Sequence, residues 1–150
     1  MDWDDYFCSM LPLVASKSKD NSVKIGAIIV GPDHEIRSTG YNGFPRGIID
    51  KPARFERPEK YVWTEHAERN AIYNAARIGV SLKDCTLYLN WWPCPDCARG
   101  IIQVGIKEVI IHTKSVKPSD KSSLNDESIT QRVIKMLFEG CVFISERKIL

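Results

Sequence analysis

The chain has 150 residues, a formal charge of +2 and a hydrophobic content of 43%. That is about one domain's length, with enough apolar residues for one sizeable core, and it excludes a disordered chain. The near-balanced charge gives no ground for nucleic acid or a membrane surface as the main partner, and no apolar run approaches the ~20 residues a membrane helix needs.

In chain order, Trp3, Phe7, Met10, Leu11 and Val14 recur at helical spacing and predict a helix over 3–16, with Pro12 against it. "VKIGAIIV", 23–30, reads as a strand, "GPD" as a turn, and "HEIRSTG", 34–40, as the returning strand of an antiparallel hairpin. Residues 41–62 hold much of the glycine and proline and read as a long loop, of the kind that is usually functional or disordered. Thr64 is the expected N-cap of the next helix, which runs to Ile78 and stops at Gly79. A strand follows over 85–91, then a helix over 94–105 with Pro95 at its first position and Gly105 past its end. "KEVIIHT" is a strand, the polar stretch 114–128 a surface loop, 126–140 a helix, and "CVFIS" the last strand. Helices alternating with strands after a hairpin predict one α/β domain over 1–150, a mixed sheet of about five strands with helices on both faces.

The N-terminus, "MDWDDYFCSM", is acidic where a secretory signal would be basic, so the expected location is cytoplasmic. Five cysteines, an odd count, argue against a disulfide framework and make a Cys-x-x-Cys pair a metal or redox site.

Cys94 and Cys97 are such a pair. Three residues apart at a helix start, their thiols face the same way, and the positive end of the helix dipole favours the metal-binding thiolate. No second Cys-x-x-Cys exists, so a four-cysteine zinc site is excluded, and His66 is the third ligand. Three protein ligands leave an open position for water, which distinguishes catalytic from structural zinc. Glu68 stands two residues after His66, where a carboxylate can face that water without ligating the metal. Glu65 reads as a first-turn charge favoured by the dipole. The competing readings of the cysteines are a redox pair or core packing, neither of which requires His66 or Glu68. A third class, a non-enzymatic zinc-binding module, does not require Glu68.

His66-Ala67-Glu68 and Pro93-Cys94-Pro95-Asp96-Cys97, with 24 residues between Glu68 and Pro93, match the zinc deaminase pattern. With "SKDNSVKIGAIIV", "GYNGFPRG", "EHAERNAIYNAAR", "TLYLNWWPCPDCARGIIQVGIKEVI" and "EGCVF", the chain resembles the cytidine deaminase superfamily, and within it deoxycytidylate (dCMP) deaminases. tRNA adenosine deaminases and polynucleotide cytidine deaminases look similar around the metal but lack the "GYNG" loop.

The resemblance implies a three-layer fold and hydrolytic deamination of dCMP to dUMP and ammonia. Deamination of free cytidine or deoxycytidine, or of tRNA adenosine, is the alternative. It implies His66, Cys94 and Cys97 as zinc ligands, Glu68 as proton shuttle, Asn42 bonding the sugar or base, the Ala67 N–H on the base, and Lys17 near the phosphate. It further implies a homohexamer activated by dCTP and inhibited by dTTP, both with Mg²⁺, with Tyr41, Asn42, Gly43 and Arg77 at the effector site. Relatives with a second zinc carry an insertion that 48–64 is too short to hold, so one zinc is expected. In the loop after the fourth strand, Lys114 or Lys117 stands in for the basic residue of relatives.

Strand alternation predicts that one of Trp91 and Trp92 faces the core and the other the pocket. Both packing in the core is the competing reading, as solvated charge is for Lys17, Lys19, Arg46, Arg54 and Arg57. His34 reads as exposed at a turn and His112 as near a strand end. Cys8, Cys85 and Cys141 read as buried small hydrophobes.

Overall fold

Trp3–Ala15 forms the first helix (α1) of the computed structural model, which describes residues 1–113 and 127–147. The Asp2 side chain caps it by accepting from the Asp5 N–H at 2.8 Å, and Pro12 is accommodated in its last turn. Two strands follow, β1 (Gly26–Val30) and β2 (Ile36–Tyr41), paired antiparallel about a turn where exposed His34 takes φ 65°. A long excursion then leads through a 3₁₀ turn, Pro52–Phe55, and a short helix, α2 (Lys60–Trp63). The remaining elements are α3 (Ala67–Ile78), β3 (Thr86–Leu89), α4 (Pro95–Gln103), β4 (Glu108–Ile111), α5 (Glu127–Glu139) and β5 (Phe143–Glu146).

The sheet order is β2-β1-β3-β4-β5, with β1 antiparallel to both neighbours and β3, β4 and β5 parallel. The period of two sorts the two faces. Ile28, Val30, Tyr88 and Ile110 pack with Phe7, Cys8 and Leu11 of α1. Ala27, Ile29, Leu87, Leu89, Val109 and Ile111 pack with Ala71 and Ala75 of α3, Ala98 and Ile101 of α4, and Val133 and Leu137 of α5. The expected mixed five-stranded sheet with helices on both faces is the fold.

Four expectations change. The first strand begins at Gly26, not residue 23, because two asparagine side chains take the place of a ladder: Asn42 Oδ1 accepts from the Ile25 N–H (2.8 Å) and its Nδ2 donates to the Val23 carbonyl (2.9 Å), while Asn90 bonds the Gly26 N–H and the Lys24 carbonyl. The loop 41–62 is built, not open. Its neck is closed by Gly43 and Glu65, which exchange backbone hydrogen bonds of 3.1 and 2.8 Å, and inside it Phe44 stacks on Phe55 and the Arg54 guanidinium lies 3.8 Å above the Trp63 ring. Thr64 ends α2 rather than starting α3, because the bridge to Gly43 keeps Glu65 extended; the N-cap is His66. Cys141 is exposed at φ 58° in the turn after α5, whereas Cys8 and Cys85 are buried as expected.

Candidate metal centre and active site

Both helices that carry the motif begin on one of the expected ligands. His66 is the N-cap of α3 and Cys94 the N-cap of α4, each with extended backbone (ψ 153° and 170°). Pro95 takes the first helical position of α4, where its missing N–H costs nothing. Cys94 Sγ accepts from the Cys97 N–H at 3.5 Å. The two helices pack side by side on the sheet, so their N-termini converge, and both dipoles favour negative charge between them.

The donor set fits zinc. Cys94 Sγ and Cys97 Sγ each lie 3.5 Å from His66 Nδ1, and the three donor atoms all fall within 4.8 Å of one another. Tetrahedral bonds of ~2.3 Å to sulfur and ~2.0–2.1 Å to nitrogen imply a sulfur–nitrogen separation of about 3.5 Å. Cys94 is held down to about 4, first by the hydrogen bond it receives from Cys97, with His66 adding to it. Cys97, the donor of that bond and buried, is pushed far up. One thiol is thus held low and the other high by the hydrogen bond between them, as in close thiol pairs at a helix start. His66 is raised by its hydrogen bond with Cys94, against desolvation. The carboxyl of Glu68, 4% exposed, is raised by burial.

A cavity of about 480 Å³ opens over this centre, lined by His66, Ala67, Glu68, Cys94, Pro95 and Asp96. Asp20, Val23, Ile25, Asn42, Lys60, Tyr61, Thr64, Trp91 and Trp92 complete the lining. Of the expected substrate residues, Asn42, Ala67, Trp91 and Trp92 line it. Both tryptophans do, against the expected split, because β3 ends at Leu89 and strand alternation stops before them; Trp92 also touches the core. Asn42 has its amide engaged by the 23–25 segment, so it builds the wall as well as facing the cavity. Lys17 is exposed and is not among the lining residues, and Lys19 pairs with Asp50 at the surface. Lys114 and Lys117 lie outside the described residues.

The residue that sequence reasoning missed is Lys60. It is the one lysine or arginine among the described residues lining the cavity, and its ammonium lies 3.0 Å from Asp20 with both side chains 9% exposed. Burial works to raise Asp20, but the Ser22 N–H, Lys60 and the Val23 N–H outweigh it and hold it below the usual carboxylate range. No local pattern in "RFERPEK" separates Lys60 from its charged neighbours.

Arg77 lies elsewhere, beside a second cavity of about 280 Å³ shared with Arg37, Ser38, Thr39, Arg46, Asn74 and Ile78. Exposed Tyr41 and half-buried Gly43 line neither cavity; Gly43 forms the neck of the loop. Among the described residues no helix is long and apolar enough to cross a membrane.

The profile of the cytidine and deoxycytidylate deaminase zinc-binding region matches residues 1–113. Deoxycytidylate deaminase of Homo sapiens is 37% identical over 129 residues, covering 82% of this chain and 71% of that protein. The same protein of Mus musculus gives the same identity and coverage. The solved structure of dCMP deaminase from the cyanophage S-TIM5 in complex with dCMP and dUMP matches 95% of each chain, with a TM-score of 0.74 and 26% identity. On fold, motif and similarity, the chain belongs to the cytidine and deoxycytidylate deaminase family.

Proposed function

We propose that the chain is a single zinc-dependent domain that hydrolyses dCMP to dUMP and ammonia, working in the cytoplasm. The observation that carries this reading is Glu68, a buried carboxylate on the cavity wall beside the three-donor cluster. A purely structural zinc site needs no such group. The named relatives, and the phage enzyme bound to dCMP and dUMP, support the choice of substrate. The unpaired state of all five cysteines suits a reducing compartment.

His66, Cys94 and Cys97 would hold the zinc, one ion per chain. When bound it supplies Lewis-acid chemistry, lowering the pKa of water from ~15.7 towards ~7. Glu68 takes the proton of the attacking water and delivers it to ring N3, which makes the carbon bearing the amino group electrophilic. It then takes the remaining proton of that water, from the new hydroxyl on the carbon, and passes it to the departing amine, which leaves as ammonia. Burial raises the pKa of Glu68 above the usual carboxylate range, which makes it a better proton acceptor. The backbone N–H of Ala67 meets the base, Trp91 and Trp92 flank it and exclude water, and Asn42 orients the sugar. Ammonia release measured across dCMP, deoxycytidine, dCTP and a tRNA anticodon stem tests the reading. Fastest turnover of dCMP is expected; equal specificity constants for dCMP and deoxycytidine would remove the phosphate preference.

Control by dCTP and dTTP with Mg²⁺, in a homohexamer, is the finer part of the proposal. Three arginines around one cavity, Arg37, Arg46 and Arg77, support an anionic effector there. β2 supplies Arg37, Ser38 and Thr39 to that cavity and leads directly into Asn42 of the other.

A further inference from the structure

Glu65 lies outside α3, extended, and its carboxylate turns back onto the helix. One oxygen, Oε1, accepts from the backbone N–H of His66 (2.9 Å) and from Arg69 through Nε (2.7 Å) and Nη2 (2.6 Å). The third nitrogen of the same guanidinium, Nη1, lies 3.6 Å from Asp96 Oδ2. Asp96 sits between the two cysteines, in the first turn of α4. Arg69 thus hydrogen-bonds Glu65, beside the ligand that starts one helix, and lies at ion-pair distance from Asp96, 61% exposed, in the ligand turn of the other.

We propose that Arg69 is a positioning residue for the metal centre, holding His66 at the start of α3 against the Cys94–Cys97 turn of α4 through Glu65 and Asp96. This rests on the reading that His66, Cys94 and Cys97 hold zinc. An ordinary exposed ion pair would leave zinc affinity alone. A group that orients ligands costs ~10–100-fold in metal affinity when removed.

The test is zinc affinity of the full chain, measured by competition with a chromophoric chelator, for wild type, Arg69→Met, Arg69→Lys and Arg99→Met. Arg69→Met should bind zinc ~10–100-fold more weakly. Arg69→Lys keeps the charge but not the planar fork, and should fall between the two. Arg99→Met removes only the exposed partner of Asp96 and should match wild type. Zinc bound by Arg69→Met as tightly as by wild type overturns the proposal. Should Arg69→Met fail to fold, Glu65→Gln serves: its amide oxygen still accepts from the His66 N–H, but the charge holding Arg69 is gone. Weaker zinc binding then supports the clamp, and wild-type affinity overturns it. A wild-type chain that binds no zinc overturns the zinc reading and the clamp together, whereas a tight-binding Arg69→Met overturns the clamp alone.

Discussion

Glu68 has a single chemical property that a glutamine lacks, a proton that can be taken up and released. Glu68→Gln preserves size and the ability to hydrogen-bond, so the fold and zinc content should stand while turnover falls. General acid–base catalysis contributes ~10²–10⁴-fold, and in the proposed mechanism the carboxylate acts in more than one step, so the loss should reach or exceed that range. Steady-state kinetics beside elemental analysis separates the two effects, and near wild-type turnover would refute the role. Lys60 makes the opposite kind of prediction. Truncating one partner of a buried pair leaves the other charged and alone, which costs ~3–5 kcal/mol. Lys60→Met should therefore unfold at much lower denaturant. The double variant Asp20→Asn, Lys60→Met should regain much of the loss, since an amide oxygen still accepts from the Ser22 and Val23 N–H groups. Additive losses would mean that the pair is not coupled. The two residues differ in legibility for a physical reason. His66, Glu68, Cys94 and Cys97 are readable because they form the family's zinc-binding motif and stand at helix starts, which fixes their spacing. Lys60 meets Asp20 across 40 residues of chain, and nothing in either neighbourhood encodes the meeting.

At the scale of elements, the position of α3 decides whether His66 and Glu68 reach the cysteines. It is set by contacts with β2. A Cβ on Gly40 would stand 2.3 Å from the Ala67 carbonyl oxygen and 2.4 Å from the Ala71 nitrogen, so the bare backbone of β2 lies directly under the helix. Three side chains stitch the two together: Ser38 donates to the Ala71 carbonyl (2.6 Å), Asn74 to Thr39 (2.7 Å) and Asn70 to Tyr41 (2.8 Å). Asn70 and Asn74, one helical turn apart, meet carbonyls two residues apart on the edge strand and shield an edge that would otherwise invite pairing. Gly40→Ala should thus push α3 away at its first turn. Overpacking costs ~1–3 kcal/mol in general, and here the obstacle is backbone that cannot rotate aside, so the upper end is expected. Zinc should be lost more readily as well, because Ala67 adjoins His66. A Gly40→Ala protein with unchanged melting temperature and zinc affinity would contradict this. The strands and long helices were legible from period and punctuation. The structure inside 41–62 was not, because it is held by cross-loop contacts such as Phe44 on Phe55 rather than by any periodic pattern.

For the whole molecule, the second cavity, lined by Arg37, Arg46 and Arg77, is where the proposed regulation would act. Arg37 is engaged by Glu35 and the Ser81 carbonyl, and Arg46 by Asn74, so two of its three guanidiniums are already oriented. A triphosphate with Mg²⁺ would meet Arg77 on α3, whose other end carries His66. Tyr41, Tyr73 and Ile78 leave apolar surface exposed on the same two elements, which suits a second copy of the chain more than water. An effector held there would act on β2 and α3, and both end at the catalytic cavity. Coupling is reciprocal, so dCTP should tighten dCMP binding by the same factor by which dCMP tightens dCTP. Arg77→Glu should abolish the nucleotide response and keep the zinc. The measurements are dCMP turnover with and without dCTP or dTTP, and mass in solution. The bland alternative, a cation suiting a helix C-terminus, predicts that Arg77→Glu changes only stability, by ~0.3–1 kcal/mol. A monomer whose rate ignores both nucleotides would end the regulatory proposal and leave the chemistry at Glu68 as it stands.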